Sequence, residues 1–355
     1  MNGGPFSDAA DRLGIEAADL DAAVAEGILT SAQAAALVAF AERRRARPSP
    51  TLDEEDVRLV TSFNDVFVVI GIALSVGSIV GLGVTFAPFV AAPLVAVLAW
   101  GLSEIFARRR RMALPSLVLT GLFTVAAGAS VVPFLADRHG STVPLAAGLV
   151  AVVAAAAHWR RFRVPIGMAA LTAGGVAAAV GLVVLVAPNL LETHLRAVLF
   201  VAGLAVFAFA MRWDVSDLER RTRRSDVAFW LHVLAAPLLV HPLAGFSGAE
   251  FLRGPTSPLP AIAMFAVLAG VAIVVDRRAL LVSGLAYFGG SILVLIEKSG
   301  WSGEVVGAVT VGVVGTSIIV LSIAWTPLRD HLLRFVPASV RAVVPAPRAI
   351  RGFSS

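Results

Sequence analysis

The sequence predicts an all-α fold, a polytopic membrane helix bundle of about ten spans with both termini on the cytosolic side. Three observations predict it. Of 355 residues, 58% are hydrophobic and 15% charged, with a mean hydropathy of +0.85, whereas about a quarter of a soluble domain is charged. That leaves too little polar surface to wrap a water-soluble body of this size. The apolar residues come in blocks of roughly 17–24, the length that crosses about 30 Å of hydrocarbon at 1.5 Å per residue. The arginines sit in short clusters between those blocks, as topology determinants do.

Composition also excludes whole classes of function. A pI near 10.9 would suit nucleic acid, but the arginines punctuate apolar blocks, so the expected partner is the lipid bilayer and no nucleic acid. Cysteine is absent, which excludes disulfides, thiolate metal sites and a cysteine nucleophile. No metal and no cofactor is expected. Lys298 is the only lysine among 29 basic residues. With abundant Ala, Val, Gly and Arg, this points to a GC-rich bacterial genome and to the bacterial inner membrane. The first 47 residues carry charge throughout and contain no apolar core of a cleavable signal, so the first true span is expected to lead insertion.

Residues 1–50 read as a small cytosolic helical hairpin. Ile15, Leu20 and Val24 mark the apolar side of a short helix that Gly27 can end in the left-handed conformation. Thr30-Ser-Ala-Gln33 reads as a capping box ahead of Leu37, Val38 and Phe40. Arg43, Arg44, Arg45 and Arg47 close that second helix, favourably for its dipole, and Pro48 and Pro50 break any continuation of it. So short a segment buries little core alone, so it is expected to dock on the membrane domain, on itself in a homo-oligomer, or on a cytosolic protein. Residues 51–62 are a linker.

The spans then run in order over 63–325: Phe63–Phe86, Phe89–Ala107, Met112–Leu135, Val143–Trp159, Val164–Val186, Ala197–Met211, Ala228–Phe246, Leu259–Val275, Ala279–Ile296 and Val305–Trp325. The sixth is short and can start earlier, near Leu190, with Arg196 reaching outward. Residues 326–355 form a basic cytosolic tail. The charges test the count. With the N-terminus inside, 25 basic residues fall on the cytosolic side and 4 (Arg138, Arg196, Arg253 and Lys298) on the other, the asymmetry the positive-inside rule demands. One missed helix would invert the parity downstream. Trp159, Trp213, Trp230 and Trp325 fall at the expected cytosolic interface, as an aromatic belt would.

Small residues recur at four-residue spacing, in Gly71/Ser75 and Gly77/Gly81 of the first span and in Gly303/Gly307 and Ala308/Gly312 of the last. Such spacing lets helices approach closely, and packing within the bundle is the first expectation, ahead of a homodimer seam. Three inward starts also look alike: RRRMALPSLVLTGLF, RRFRVPIGMAALTAG and DRRALLVSGLAYFGG. Either helical hairpins were duplicated or all three meet the same demands of an inward anchor.

Five stretches carry a resemblance: VRLVTSFNDVFVVIGIAL, RRSDVAFWLHVLAAPLLVHP, DRRALLVSGLAYFGG, EGILTSAQAAAL and TPLRDHLLRFVP. In these the chain resembles a family of bacterial multi-spanning membrane proteins, a domain of unknown function that opens with a short helical hairpin. The resemblance implies the architecture, draws attention to Asn64, Asp65, Asp226 and His232, and implies no activity.

Ionisable residues at membrane depth are costly, so each is a candidate. Asp65 opens the first span, Glu104 lies a turn from the cytosolic end of the second, Asp226 opens the seventh, and His232 is about 9 Å deeper along that helix. Either the acids pair with neighbouring arginines at the interface, or Asn64, Asp65, Glu104, Asp226 and His232 form a cytosolic vestibule with His232 at its floor. A histidine can carry a proton near neutral pH. Pro237 cannot donate to the carbonyl of Val233, so a kink is expected a turn beyond His232. His241 lies on the opposite face and reads as an outer-interface residue. Phosphate-loop, HExxH and dinucleotide motifs are missing. Gly300-Trp-Ser302-Gly303 is similar to the GxSG of rhomboid-type proteases, but the only later histidine is His331 in the tail. A convergent Ser302–His241 dyad stays open, and no catalytic residue is assigned.

Two functions are expected from different classes. One is a transporter or channel-like protein for a small solute or ion. The other is a non-transporting scaffold or regulatory protein working through the N-terminal hairpin. A water-accessible cavity reaching mid-membrane would favour the first, a tightly packed bundle the second.

Overall fold

The computed structural model of the chain describes residues 17–46, 63–218, 220, 222–244 and 258–345. Ile15, Pro48, Pro50, the expected linker 51–62, the loop holding Arg253 and the end of the tail lie outside the described residues. The chain divides into two compact units, Met1–Asp56 and Val57–Ser355, and every regular element described is helical.

In the first unit, α1 (Ala17–Ala25) and α2 (Ser31–Ala46) form a hairpin. Gly27 makes the turn at φ 73°. Thr30 and Gln33 close the expected capping box: the Thr30 N–H donates to Gln33 Oε1 at 2.9 Å, and the Gln33 N–H donates to Thr30 Oγ1 at 3.2 Å. Leu20 and Ala34 are buried, while Ile28, Leu37 and Phe40 stay exposed.

The second unit contains α3 (Phe63–Phe86), α4 (Pro88–Ser103, continued by a π-helical turn Glu104–Arg109), α5 (Ala113–Ala129), the short α6 (Val132–His139), α7 (Val143–Phe162), α8 (Ile166–Val186), α9 (Pro188–Val215), α10 (Arg223–Ala244), α11 (Pro258–Val275), α12 (Leu281–Glu297), α13 (Gly303–Leu333) and α14 (Ala338–Arg341). Eight of these segments are long and apolar enough to cross a membrane. The other two expected spans fall on α11 and α12, whose apolar stretches Ile262–Val275 and Gly284–Glu297 are shorter. The short sixth span is instead the long α9 from Pro188, whose helical geometry breaks at His194 (φ −127°, ψ 24°). α10, by contrast, runs as one helix through Pro237 and Pro242.

Contacts pass along the bundle in sequence. α3 packs on α4 and α5, α5 on α7 and α8, α8 on α10, α10 on α9, α11 and α12, and α12 on α13. α7 and α8 approach each other backbone to backbone. A Cβ added at Gly148 would lie 2.3 Å from the Ala178 nitrogen, and one at Gly181 2.3 Å from the Leu145 nitrogen. The glycine stripes expected to pack the bundle meet no neighbouring helix among the described residues. At Gly71, Gly77 and Gly81 of α3, and at Gly303, Gly307 and Gly312 of α13, an added Cβ would meet nothing within 4 Å. Each of these helices packs on its neighbours through other faces, so the stripes join nothing within the described chain.

The three similar inward starts share a backbone device. Arg111, Arg163 and Asp276 are left-handed (φ 52°, 55° and 59°), and the residue after each, Met112, Val164 or Arg277, is buried. At the end of α11 the Asp276 N–H donates to Ile273 O at 3.2 Å and the Arg277 N–H to Ala272 O at 2.8 Å. This is the Schellman closure, in which the second residue past the helix packs back against it. Two of the three starts put an apolar side chain there. The third puts an arginine.

Candidate functional site

Arg277 is 1% exposed, and a buried guanidinium is tolerable only when its charge and donors are met. Asp214, at the end of α9, meets both. Arg277 Nε lies 3.1 Å from Asp214 Oδ1, and its NH2 group donates to the same oxygen. NH2 also reaches the Ser225 carbonyl at 3.2 Å and Ser225 Oγ at 3.1 Å. This ties the first turn of α10 to both.

The neighbouring residues pair the other way round. Arg220, before α10, places NH1 3.5 Å from Asp276 Oδ2 and donates from NH2 to the Val275 carbonyl at 3.1 Å. The two links therefore exchange charges reciprocally, Asp214 with Arg277 and Arg220 with Asp276. α13 closes the set: Trp325 Nε1 donates to Asp276 Oδ1 at 2.7 Å, and Arg329 Nε lies 3.9 Å from that oxygen. Arg329 also donates to the Pro345 carbonyl at 2.6 Å, which brings the chain after α14 back over the cluster. Trp325, expected in an interfacial belt, is thus buried, because its indole N–H is needed by Asp276.

His232 is 0% exposed on the same side of α10. Its Nδ1 is 2.8 Å from the Ala228 carbonyl, to which it must donate, and 3.7 Å from Asp214 Oδ2. The Phe207 ring stands edge-on to it at 5.5 Å. Asp226 is half-buried and lies within the field of Arg277 and Arg223.

The other candidates belong elsewhere. Glu104 accepts from Arg161 Nε at 2.7 Å and from Arg108 NH1 at 3.1 Å. Asp65 is buried and Asn64 exposed at the start of α3, which packs on α4 and α5. The five expected vestibule residues therefore fall into two groups, one on α3–α4 and one on α10. His241 meets the Tyr287 ring edge-on at 5.1 Å, and Ser302 is the exposed N-cap of α13. Sequence reading also passed over His158, which is fully buried with Nε2 3.2 Å from Ser103 Oγ and the Trp100, Phe123 and Phe162 rings around it.

The opposite face of α10 borders empty space. Trp230, Val233, Leu234 and Pro237 form one wall of a cleft of about 760 Å³, completed by α5, α7 and α8. On a helix these four positions cluster within about 100°, roughly opposite His232. The cleft owes its width to small residues, among them Gly121, Gly128, Ala147, Ala151, Ala170 and Ala173. Val125, 71% exposed, marks its open flank. The lining is almost wholly apolar. Thr124 spends its hydroxyl proton on the Thr120 carbonyl at 2.9 Å, and residue 237 being proline leaves the Val233 carbonyl without its in-helix donor.

No family model, no curated protein and no solved structure matches the chain.

Proposed function

We propose that the chain is a bacterial inner-membrane protein of ten spans with both ends in the cytosol, and that it is a transporter whose small apolar or amphiphilic solute occupies the cleft. The topology is supported by the 25:4 division of basic residues between the two sides. The transport reading is supported by one observation above others: a cleft of about 760 Å³, within the size range of small-molecule sites, whose lining suits a molecule drawn from the bilayer rather than a hydrated ion. α10 is the working element of this reading. Its cleft face includes Pro237, where the helix is weakest, and its other face is fastened by Asp214, Ser225 and Arg277.

The test uses purified protein in liposomes and a fluorescent single-chain amphiphile, with transbilayer movement read by a membrane-impermeant quencher. Movement several-fold faster than in protein-free vesicles, and lost in Ala173→Leu, is expected. Equal rates with and without protein would overturn transport. A scaffold reading is favoured by Ile28, Leu37 and Phe40, which leave the hairpin an exposed apolar side. If deleting residues 1–47 abolished all cellular function while transport in vesicles persisted, the hairpin would be the working part.

A further inference from the structure

Resting on the reading of the cleft as a binding site, we infer that its occupant is one hydrocarbon chain of an anionic bilayer lipid, whose headgroup is held by arginines at one end. The long axis of the cleft runs along α8. Lining residues extend from Ile166 to Val180, and fourteen residues at 1.5 Å each make about 21 Å. That is some two-thirds of the roughly 30 Å hydrocarbon layer, so a site parallel to the spans fits an extended chain better than a compact solute. The walls offer alanine and glycine, and a methylene chain gains contact with them without needing a polar partner.

The end marked by Ile166 and Trp230 is the basic one. Arg163 precedes Ile166 by three residues and holds its guanidinium 4.5 Å over the Trp159 ring. Trp159 in turn abuts Gly167, where an added Cβ would come within 2.9 Å of it. Arg163 is exposed, and among the described residues it has no carboxylate partner. Arg223 and Arg224, also exposed, open α10 about two turns before Trp230. Among the described residues of that region, Glu104 is engaged by Arg161 and Arg108, Asp214 by Arg277, and Asp217 by the Thr222 N–H and hydroxyl. Half-buried Asp226 remains, within the fields of Arg277, Arg223 and Asp217. The charge left over is positive, and it complements a phosphate at interfacial depth.

Native mass spectrometry of the full chain, released from micelles containing equal amounts of phosphatidylglycerol and phosphatidylcholine, tests this. Retention of one phosphatidylglycerol, preferred about tenfold, is expected. Inorganic phosphate at millimolar concentration should not displace it, because phosphate alone lacks the chain. Two variants fill the cleft: Ala173→Leu on α8, and Val125→Trp on the open flank, where added bulk does not disturb packing. Either should remove the bound lipid. Arg163→Asn, which keeps a residue suited to the left-handed turn, combined with Arg224→Gln should abolish the headgroup preference while a lipid is still retained. Lipid retained without preference in the wild type, or displaced by phosphate, would overturn the lipid assignment and leave the cleft as a site. Retention unaffected by both filling variants would overturn the cleft itself. A dimer that Val125→Trp dissociates, with no lipid bound, would make a second copy the occupant and also overturn the inference.

Discussion

Asp214 and Arg277 meet across the ends of α9 and α11, 63 residues apart in sequence and both almost fully enclosed. The pair holds three helices together, because Arg277 also takes the carbonyl and hydroxyl of Ser225 on α10. Removing one member strands the other charge, at about 3–5 kcal/mol. Asp214→Ala or Arg277→Ala should therefore lower the melting temperature of the detergent-solubilised protein sharply. Asp214→Leu with Arg277→Met should recover most of the loss, since well-packed apolar pairs often replace buried ion pairs without penalty. A double variant no better than either single would show that the geometry of Ser225 and its helix, rather than charge balance, is what matters.

Glycines at two kinds of site should behave oppositely. Gly148→Ala forces a methyl to 2.3 Å from the Ala178 backbone, so α7 and α8 must separate. Overpacking of that kind costs roughly 1–3 kcal/mol. Gly77→Ala and Gly312→Ala, with open space around the added methyl, should be silent in the same thermal scan. Destabilisation at Gly77 or Gly312 that depends on protein concentration would reveal a partner helix from outside the chain.

Much of the fold was legible because hydropathy and capping are local. The first span was expected at Phe63–Phe86 and the helix has those bounds. The capping box at Thr30 needs only four residues to be seen. The charged cluster was not legible. Arg277 counted as one more cytosolic arginine, and Asp214, between Trp213 and Val215, was not singled out. Nothing periodic links positions 63 apart. What could have pointed to it was the alignment of the three inward starts, where Arg277 takes the slot of Met112 and Val164. The cleft escaped for a different reason: it is made of side-chain volume missing from four helices at once, while each helix alone reads as an ordinary apolar span.

The topology can be read with introduced cysteines, since the chain has none of its own. Ser141 and Ser302 are exposed on the expected outer side, and Ser216 and Ser339 on the expected cytosolic side. Cysteines at the first two should react with impermeant maleimide applied to intact cells, and those at the last two only after lysis. Ser225 would mislead, because it is buried against Arg277 and would stay silent on either side. Labelling of Ser216→Cys from outside would put the span count out by an odd number.

His232 decides between a hydrated vestibule and a sealed cluster. In the structure its ring is enclosed: Nδ1 is used by Ala228, Asp214 lies behind it, and Phe207 stands across it. A thiol reacts as the thiolate, which needs water or a nearby cation. Arg277 supplies charge close by, so access rather than ionisation would limit His232→Cys. That variant should resist small charged thiol reagents applied to inside-out vesicles, while Ser216→Cys in the same vesicles reacts. His232→Leu should cost only about 1 kcal/mol, the scale of intramembrane hydrogen bonds, because the Ala228 carbonyl keeps its helical partner and Asp214 keeps Arg277. Labelling of His232→Cys at the rate of Ser216→Cys would mean that water reaches the floor of α10. The charged face, not the cleft, would then be the path a solute takes.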